Sequence, residues 1–243
     1  MKHVNHVAID NRAPVSNPAL AATSNVFLVD DDASVRRALA RLIKSAGHQV
    51  QTFSSAREFL GTKTCGEEAA CLVLDVRMPD LTGIDLQREL QTLNRNVPIV
   101  FITGHGDIPM SVQAMKAGAV DFLPKPVKDT DLLRAIKQAL TRAVHDRTER
   151  NELNDIQRRV ETLTPREREV MALVVSGLLN KQIAFGLGTV EKTIKVHRAR
   201  VMEKMQAESL ADLVRLAEKV GIPPKKLESH GRRHHGVVQV TEQ

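Results

Sequence analysis

The chain has 243 residues, of which 42% are hydrophobic, and it carries a formal net charge of +6. The length suits two domains, and the hydrophobic fraction suffices for a packed core. Six Phe with no Trp or Tyr argue against the binding of single-stranded nucleic acid by base stacking. The excess of positive charge favours an anionic partner, with nucleic acid the leading candidate.

Targeting signals and cysteine chemistry restrict the function further. No apolar run reaches the length of a membrane span, and the N-terminus lacks the apolar core of a secretory signal. Cys65 and Cys71 match no metal-binding or redox spacing, so we predict that Cys71 is buried and that Cys65 lies in a loop. These features predict a protein of the reducing cytoplasm with no membrane partner.

The first half of the chain has the pattern of an α/β fold. Residues 1–23 lack periodicity and are rich in Asn, Pro and Ser, which predicts a disordered tail. Short apolar runs then alternate with helix-like patterns as far as residue 142. We predict strands at 26–29, 50–53, 71–74, 98–103 and 120–123. Such alternation is typical of βαβ units with a mostly parallel sheet.

The stretch 71–80 organises this half. An apolar run of strand length leads directly into Asp75, and a turn closed by Pro79 and Gly83 follows. The run is typical of a strand buried on both faces of a sheet. The carboxyl ends of strands are where ligands bind in open α/β sheets, which makes Asp75 a candidate functional residue. The alternative is that Asp75 only caps the following turn.

Residues 143–162 change to a charged composition without Gly or Pro. The segment predicts a helical linker that could continue the last helix of the first domain. Leu153, Ile156 and Val160 are its regular apolar positions. A solvated helix and a shallow coiled coil in a dimer are the two interpretations of this pattern, with the solvated helix favoured.

Residues 163–221 predict a small all-α domain. Thr164, Pro165 and Glu167 form the capping sequence of a first helix that ends near Gly177. Asn180 is the predicted cap of a short second helix. A glycine-containing turn leads to a third helix at 190–205, and a fourth helix spans 209–220. Two helices, a glycine turn and a basic third helix are typical of a helix-turn-helix.

The C-terminal segment 222–243 is polar and basic, and we predict a disordered tail. The alternative is that His230, His234 and His235 of this segment bind a metal.

Several strand ends of the predicted sheet carry chemically active side chains. Asp30, Asp31 and Asp75 would repel one another by about 4 kcal/mol per pair at about 4 Å, so the cluster needs a cation. Carboxylates with a backbone carbonyl and waters suit Mg2+. A carboxylate can also attack phosphorus and form an acyl phosphate. Thr103 and Lys125 could then bind phosphoryl oxygens, and a cis bond before Pro126 would aim Lys125 over the sheet edge.

Residues 25–140 resemble the receiver domain of bacterial two-component response regulators. The resemblance rests on 29–31, 74–75 with 78–79, 103–104 and 125–126. It implies a doubly wound, flavodoxin-like parallel sheet of five strands in the order 2-1-3-4-5, within a domain spanning 24–142. By resemblance Asp75 is the phosphoacceptor, Asp30 and Asp31 with the Arg77 carbonyl complete the Mg2+ site, and Lys125 contacts the phosphoryl group.

Three further residues of the receiver-like half are assigned in the same way. Thr103 and Phe122 match the switch pair of the family, with Phe122 at the position where an aromatic residue is usual. Asp32 adjoins the acidic pair, but the register makes it the cap of the following helix rather than a third ligand.

Residues 163–221 resemble the LuxR-type helix-turn-helix output domain, on the residues of 163–169, 180–184 and 191–197. The whole chain is similar to the FixJ subgroup of the NarL family. One departure is Val190, which stands where the family has Ser or Thr. Since Val cannot cap a helix through its side chain, Thr189 is the predicted cap, which would move the start of the third helix by one residue.

The sequence of the small domain, and of its third helix above all, predicts which residues contact DNA. Lys195, Val196 and Ala199 form one outward strip, in which Lys195 donates to guanine and the other two touch thymine methyl groups. Phosphate contacts are predicted for Lys181, Lys192, Thr193, His197 and Arg200. The alternative is that these cations form a solvated face.

Together these features predict a cytoplasmic response regulator that is not an enzyme. A histidine kinase phosphorylates Asp75, and a homodimer formed on phosphorylation binds double-stranded promoter DNA and acts on RNA polymerase. One alternative is an orphan regulator that switches without phosphorylation. The other is a Mg2+-dependent phosphohydrolase with an Asp nucleophile, which usually has a second Asp two residues later, where this chain has Arg77.

Overall fold

A computed structural model describes residues 25–62, 70–104, 108–223 and 225. The chain divides into two compact units, residues 1–147 and 148–243, and each is described by itself. The predictions for the N-terminal tail, for Cys65 and for His230, His234 and His235 lie outside the described residues.

The first unit is a parallel sheet with helices between its strands, and the predicted strand order is confirmed. The sheet has the order β2-β1-β3-β4-β5, and every pairing is parallel. The strands are β1 (Asn25–Val29), β2 (Gln49–Phe53), β3 (Ala70–Asp75), β4 (Ile99–Thr103) and β5 (Asp121–Pro124). The helices are α1 (Ala33–Ser45), α2 (Ala56–Leu60), α3 (Gly83–Thr92), α4 (Ile108–Lys116) and α5 (Asp129–Glu161).

β3 is buried on both faces, as its apolar run predicts. Leu72 and Leu74 pack on one side with residues of α2 and α3, while Cys71 and Val73 pack on the other side with residues of α1 and α5. Alternate residues of a strand point to opposite faces of the sheet, so both helical layers need apolar side chains from this strand. Burial raises the pKa of the Cys71 thiol to about 12, which agrees with an unreactive core residue.

Each of the five strands differs from its predicted range by one residue at one or both ends. β4 begins at Ile99 rather than at Pro98, because Pro has no N–H to donate to the ladder and contributes only its carbonyl oxygen, which accepts from Leu72 N. β5 spans Asp121–Pro124 rather than 120–123. The Lys125–Pro126 peptide bond that follows is cis.

α5 is a single helix of 33 residues that includes most of the predicted linker. Its Ala139 and Leu140 are buried in the core of the first unit, whereas Ile156 and Val160 are buried in the core of the second unit. The interpretation as a solvated helix is therefore wrong at these two positions, which pack within their own unit. Leu153 is exposed.

The second unit adds α6 (Pro165–Val175), α7 (Asn180–Gly186), α8 (Glu191–Met205) and α9 (Leu210–Lys219) to the end of α5. The capping box of α6 is confirmed: Thr164 Oγ1 accepts from Glu167 N, and Glu167 Oε2 accepts from Thr164 N. The buried positions of α6, α8 and α9 form one apolar core.

Two predicted helix caps in this unit are wrong. The N-cap of α7 is Leu179, whose N–H donates to Gln182 Oε1 at 2.8 Å, and Asn180 is the first helical residue. The N-cap of α8 is Val190, which makes no side-chain cap, so the helix starts at Glu191 and not one residue earlier. In both cases the extended backbone of the cap residue provides the helix entry without a side-chain hydroxyl or carboxylate.

Candidate functional site

The predicted acid site lies along the carboxyl edge of the sheet. Asp30 follows β1, Asp75 ends β3, Thr103 ends β4, and Lys125 follows β5. Because β1, β3, β4 and β5 are consecutive neighbours in a parallel sheet, their carboxyl ends lie side by side. Strand order alone therefore brings together side chains that are up to 95 residues apart in sequence.

Lys125 joins the two buried carboxylates. Its Nζ donates to Asp30 Oδ2 at 2.8 Å and to Asp75 Oδ2 at 2.5 Å. Asp30 is fully buried and Asp75 is 5% exposed, while about a fifth (21%) of the Lys125 side chain remains accessible. The Lys125 ammonium group, which follows β5, thus bridges the carboxyl ends of β1 and β3 and stays partly open to solvent.

The third carboxylate of the cluster belongs to Asp31, which is exposed. One oxygen each of Asp30, Asp31 and Asp75 lie within 4.8 Å of one another. The second oxygen of Asp75 accepts from Arg77 N at 3.1 Å, which orients the carboxylate along the turn that follows β3. Asp32 lies apart from the cluster as the confirmed N-cap of α1, where its Oδ1 accepts from Ser34 N at 2.7 Å.

Burial and charge act in opposite directions on this cluster. Burial raises the pKa of Asp30, and the hydrogen bond and charge of Lys125 only partly offset that rise. Burial lowers the pKa of Lys125, but its hydrogen bonds and ion pairs with Asp30 and Asp75 outweigh burial and leave the pKa raised. Lys125 is therefore the group that opposes the effect of burial on the Asp30 carboxylate.

Gly83, the first residue of α3, permits the close approach of α3 to the end of β3. A Cβ at this position would collide with the Asp75 carbonyl oxygen and would lie 3.1 Å from side-chain atoms of Leu74 and Phe101. The Gly83 N–H donates to Val76 O at 2.9 Å. The sequence indicated Gly83 only as a turn residue, whereas its role is to leave space beside the backbone of Asp75.

Thr103 and Phe122, the predicted switch pair, lie on adjacent strands. Thr103 is buried and Phe122 is partly buried. Phe122 pairs in register with Phe101, and their ring centroids are 6.0 Å apart. Phe101 precedes Thr103 by two residues, so the side chains of Phe101 and Thr103 point to the same face of β4. Thr103 and Phe122 are thus neighbours on one face of the sheet.

The donor set of this edge fits a hard divalent cation. Three carboxylates, one of them exposed to solvent, provide the oxygen ligands that Mg2+ prefers while leaving room for retained waters. No nitrogen or sulfur ligand of a transition-metal site lies in the cluster within the described part of the chain.

The predicted DNA-contacting residues lie on α7 and α8. Lys181, Lys192, Lys195, Val196, Ala199 and Arg200 are exposed, and Thr193 and His197 are partly exposed. Lys195 Nζ pairs with Glu191 Oε1 at 3.2 Å, one turn earlier on the same helix. These side chains are therefore accessible to a DNA groove. His197 differs from the others, because its Nδ1 is buried and has no hydrogen-bond partner within the described residues.

Arg198 was not predicted from the sequence, yet it fixes the two helices of the helix-turn-helix to each other. Its Nη1 donates to Asn180 Oδ1 at 3.2 Å and so joins α8 to the first residue of α7. The signal in the sequence was weak, because Asn180 at a helix start is more readily interpreted as a cap.

Comparisons with known proteins agree with both halves of the chain. Residues 26–137 match the model of the response regulator receiver domain, and residues 161–217 match that of the bacterial regulatory proteins of the luxR family. The fold and the acid edge thus define a receiver, followed by a helix-turn-helix. The chain belongs to the two-component response regulators in which a receiver domain precedes a LuxR-type DNA-binding domain, the architecture of a phosphorylation-dependent transcriptional regulator.

Individual relatives cover most of the chain. It is 52% identical to nodulation protein W of Bradyrhizobium diazoefficiens over 81% of this chain and 86% of the relative. It is 46% identical to the transcriptional regulatory protein FixJ of Rhizobium meliloti, over 82% of this chain and 97% of the relative. Among solved structures, response regulator StyR has a TM-score of 0.73 at 49% identity, covering 82% of this chain and all (100%) of that one.

These matches confirm the resemblance to the FixJ subgroup that the sequence indicated. Among the helices of the described residues, none combines the length and the apolarity needed to cross a lipid bilayer.

Proposed function

We propose that Asp75 receives a phosphoryl group from a phosphohistidine of a histidine kinase. The observation that carries the proposal is the position of the Asp75 carboxylate at the end of the central strand. It accepts from Lys125 Nζ and lies within 4.8 Å of carboxylate oxygens of Asp30 and Asp31. In the transfer, the bond between phosphorus and the imidazole nitrogen breaks as an Asp75 oxygen bonds to phosphorus. The histidine keeps the electron pair of the broken bond, and the product on Asp75 is an acyl phosphate.

We propose that Asp30, Asp31 and Asp75, with the Arg77 carbonyl, hold Mg2+. The bound ion would supply charge neutralisation for the phosphoryl oxygens. Lys125 already donates to Asp75 Oδ2, so its ammonium is positioned to move to a phosphoryl oxygen once that carboxylate is phosphorylated. Thr103 would donate its hydroxyl to another oxygen, and Phe122 would change its packing with the movement of Thr103.

For DNA, we propose that Lys195, Val196 and Ala199 contact base edges. Lys181, Lys192, Thr193, His197 and Arg200 would contact phosphates. Support comes from their exposure on the two helices of the helix-turn-helix. We further propose that phosphorylation promotes a homodimer on two half-sites of double-stranded promoter DNA and that the bound dimer acts on RNA polymerase. A DNA partner supports a cytoplasmic location.

The proposed domain boundaries are a receiver at 24–142, a helical linker at 143–162 and a DNA-binding domain at 163–221. The predicted disordered tail from 222 is wrong at its described start, because Ile222 packs against the second core and Lys225 N donates to Ala172 O at 3.2 Å. The burial of Ile156 and Val160 with the second core argues for attaching the last turns of α5 to the DNA-binding domain.

We propose that the chain is not an enzyme with turnover. The rival phosphohydrolase would need an acid/base group two residues after Asp75, and that position carries Arg77, which cannot deprotonate to act as a base. The complete acid set argues against the other rival, an orphan regulator that switches without phosphorylation. Steady release of phosphate from a small phosphate ester would support the phosphohydrolase.

The test of the proposed function is to incubate the full chain with Mg2+ and acetyl phosphate and to map the labile adduct by mass spectrometry. We expect one adduct, on Asp75, and no adduct in Asp75→Asn. Asp80→Asn is a matched control, because this exposed carboxylate of the following turn lies outside the cluster. Labelling of Asp75→Asn at the wild-type level would overturn the assignment.

A further inference from the structure

Asp31 is the member of the acid cluster whose side chain has the fewest hydrogen bonds and ion pairs. Its carboxylate is exposed, and within the described residues it accepts no hydrogen bond and forms no ion pair. Asp30 and Asp75, in contrast, are both held by Lys125. The position of the Asp31 carboxylate therefore depends on the backbone that carries it.

That backbone is fixed through Asp30. Asp30 N donates to Phe53 O at 3.3 Å, which ties the end of β1 to β2. Asp30 Oδ1 accepts from Asp32 N at 2.9 Å, which closes the turn around Asp31. The carbonyl oxygen of Asp30 accepts from Arg36 Nη1 at 2.5 Å. This last contact sets the plane of the peptide bond that joins Asp30 to Asp31.

The position of Arg36 on α1 allows its side chain to reach the Asp30 carbonyl oxygen. Arg36 lies in the first turns of α1, its side chain turns back over the loop, and its own N–H donates to Asp32 O at 2.9 Å. A guanidinium group is planar and permanently charged, so it donates with a defined direction at every physiological pH. The adjacent Arg37 is exposed and its guanidinium reaches only as far as Ser34 Oγ, at 3.3 Å.

We propose that Arg36 is a positioning residue of the cation site. By holding the Asp30 carbonyl, it keeps the Asp31 carboxylate directed toward Asp30 and Asp75. The inference rests on the proposed function, in which these three carboxylates bind Mg2+. Arg36 touches neither the cation nor the phosphoryl group and acts only through the loop between β1 and α1.

Positioning and simple electrostatics predict opposite results when Arg36 is replaced. Removal of a positive charge near three carboxylates would by itself strengthen the binding of a cation. Loss of a group that orients a metal ligand instead weakens metal binding, by about 10-fold or more. The direction of the change in Mg2+ affinity therefore separates the two explanations.

The experiment is isothermal titration of the full chain with MgCl2 in wild type, Arg36→Met, Arg36→Gln, Arg37→Met and Asp31→Ala. Arg36→Met keeps an apolar stem of similar length, and Arg36→Gln is a milder second variant. Arg37→Met is the matched control, because it removes the same charge from the next residue. Circular dichroism without Mg2+ confirms that each variant is folded.

We expect both Arg36 variants to bind Mg2+ about 10-fold more weakly than wild type, and Arg37→Met to bind as tightly as wild type or slightly more so. Labelling of Asp75 by acetyl phosphate should then slow at low Mg2+ and recover at saturating Mg2+. Arg36 variants that bind as Arg37→Met does would overturn the inference. Unchanged binding in Asp31→Ala would instead overturn the proposed cation site itself.

Discussion

Lys204 on α8 forms an ion pair with Glu167 on α6, with Nζ 2.7 Å from Oε2 in a setting where the carboxylate is 2% exposed. The same oxygen accepts from Thr164 N at 2.9 Å. One carboxylate therefore both completes the capping box of α6 and joins that helix to the helix that carries the predicted base contacts.

This arrangement makes the stability of the second unit dependent on pH. The hydrogen bond from Lys204, followed by that from Thr164, lowers the pKa of Glu167 to about 2 from a usual value of 4.5. A lowered folded-state pKa stabilises the fold above the unfolded value, and the stabilisation is lost as the pH falls from about 4.5 toward 2. We expect Glu167→Gln to lower the free energy of unfolding by about 1–3 kcal/mol near pH 7.

Urea unfolding of the full chain, followed by circular dichroism, measures this effect at several pH values. The difference between Glu167→Gln and wild type should shrink below about pH 4.5. Glu169→Gln is the control, because Glu169 pairs with Arg166 in a more exposed position and should change stability by less than about 1 kcal/mol. A Glu167 effect that is constant from neutral to acidic pH would contradict the assigned cause.

Gly83→Ala should disturb the end of β3. The new Cβ would collide with the Asp75 carbonyl oxygen, so α3 or the turn after Asp75 must move, at a cost of about 1–3 kcal/mol. We expect a lower urea midpoint for the receiver and slower labelling of Asp75 by acetyl phosphate. Gly61→Ala provides the comparison, since a Cβ there lies 3.6 Å from its nearest neighbours. Equal effects at both glycines would show that crowding at Asp75 is unimportant.

The roles of the helix-turn-helix residues predict different effects on DNA binding. Lys195→Ala should cost roughly 1–3 kcal/mol on cognate DNA and relax the preference at one base position. Arg200→Ala and Lys181→Ala should weaken cognate and scrambled DNA alike and reduce the salt slope by about one each. Titrations at several salt concentrations measure both quantities.

Arg215→Ala, on the exposed side of α9, controls for loss of charge in the DNA titrations. The proposed roles are reversed if Arg200→Ala abolishes sequence preference while Lys195→Ala leaves it intact.

Phosphorylation should shift the chain from monomer to dimer. One small helix-turn-helix makes few base contacts, whereas two half-sites double them. Sedimentation velocity with and without acetyl phosphate in Mg2+ tests this expectation, with Asp75→Asn as the variant that should stay monomeric in both conditions. A wild-type chain that carries the phosphoryl group, remains monomeric and still activates transcription would exclude dimerisation as the output.

The sequence predicted those features that depend on periodicity and strand order. The apolar run at 71–74 was enough to place a doubly buried strand, and a parallel sheet then brings Asp30, Asp75 and Lys125 to one edge. The capping box of Thr164 and Glu167 was predictable for the same reason, since both partners lie three residues apart in the chain.

Features that depend on long-range packing were harder to predict from the sequence. The pattern around Ile156 and Val160 could not distinguish burial in the adjacent domain from a solvated helix. The caps at Leu179 and Val190 were missed because propensity favours polar cap residues, whereas tertiary packing fixes these helix starts. The hydrogen bond from Arg36 to the Asp30 carbonyl was also not predicted, because a lone Arg on α1 has no distinguishing pattern.

The pairing of Phe122 with Phe101 has a practical consequence. The chain contains no tryptophan, so Phe122→Trp would place a single indole between the core and the surface, beside Thr103. Fluorescence from such a protein would arise from one site at the edge of β5. Its emission wavelength would report the local polarity there. Stopped flow could then time the proposed repacking of residue 122 on phosphorylation without any attached dye.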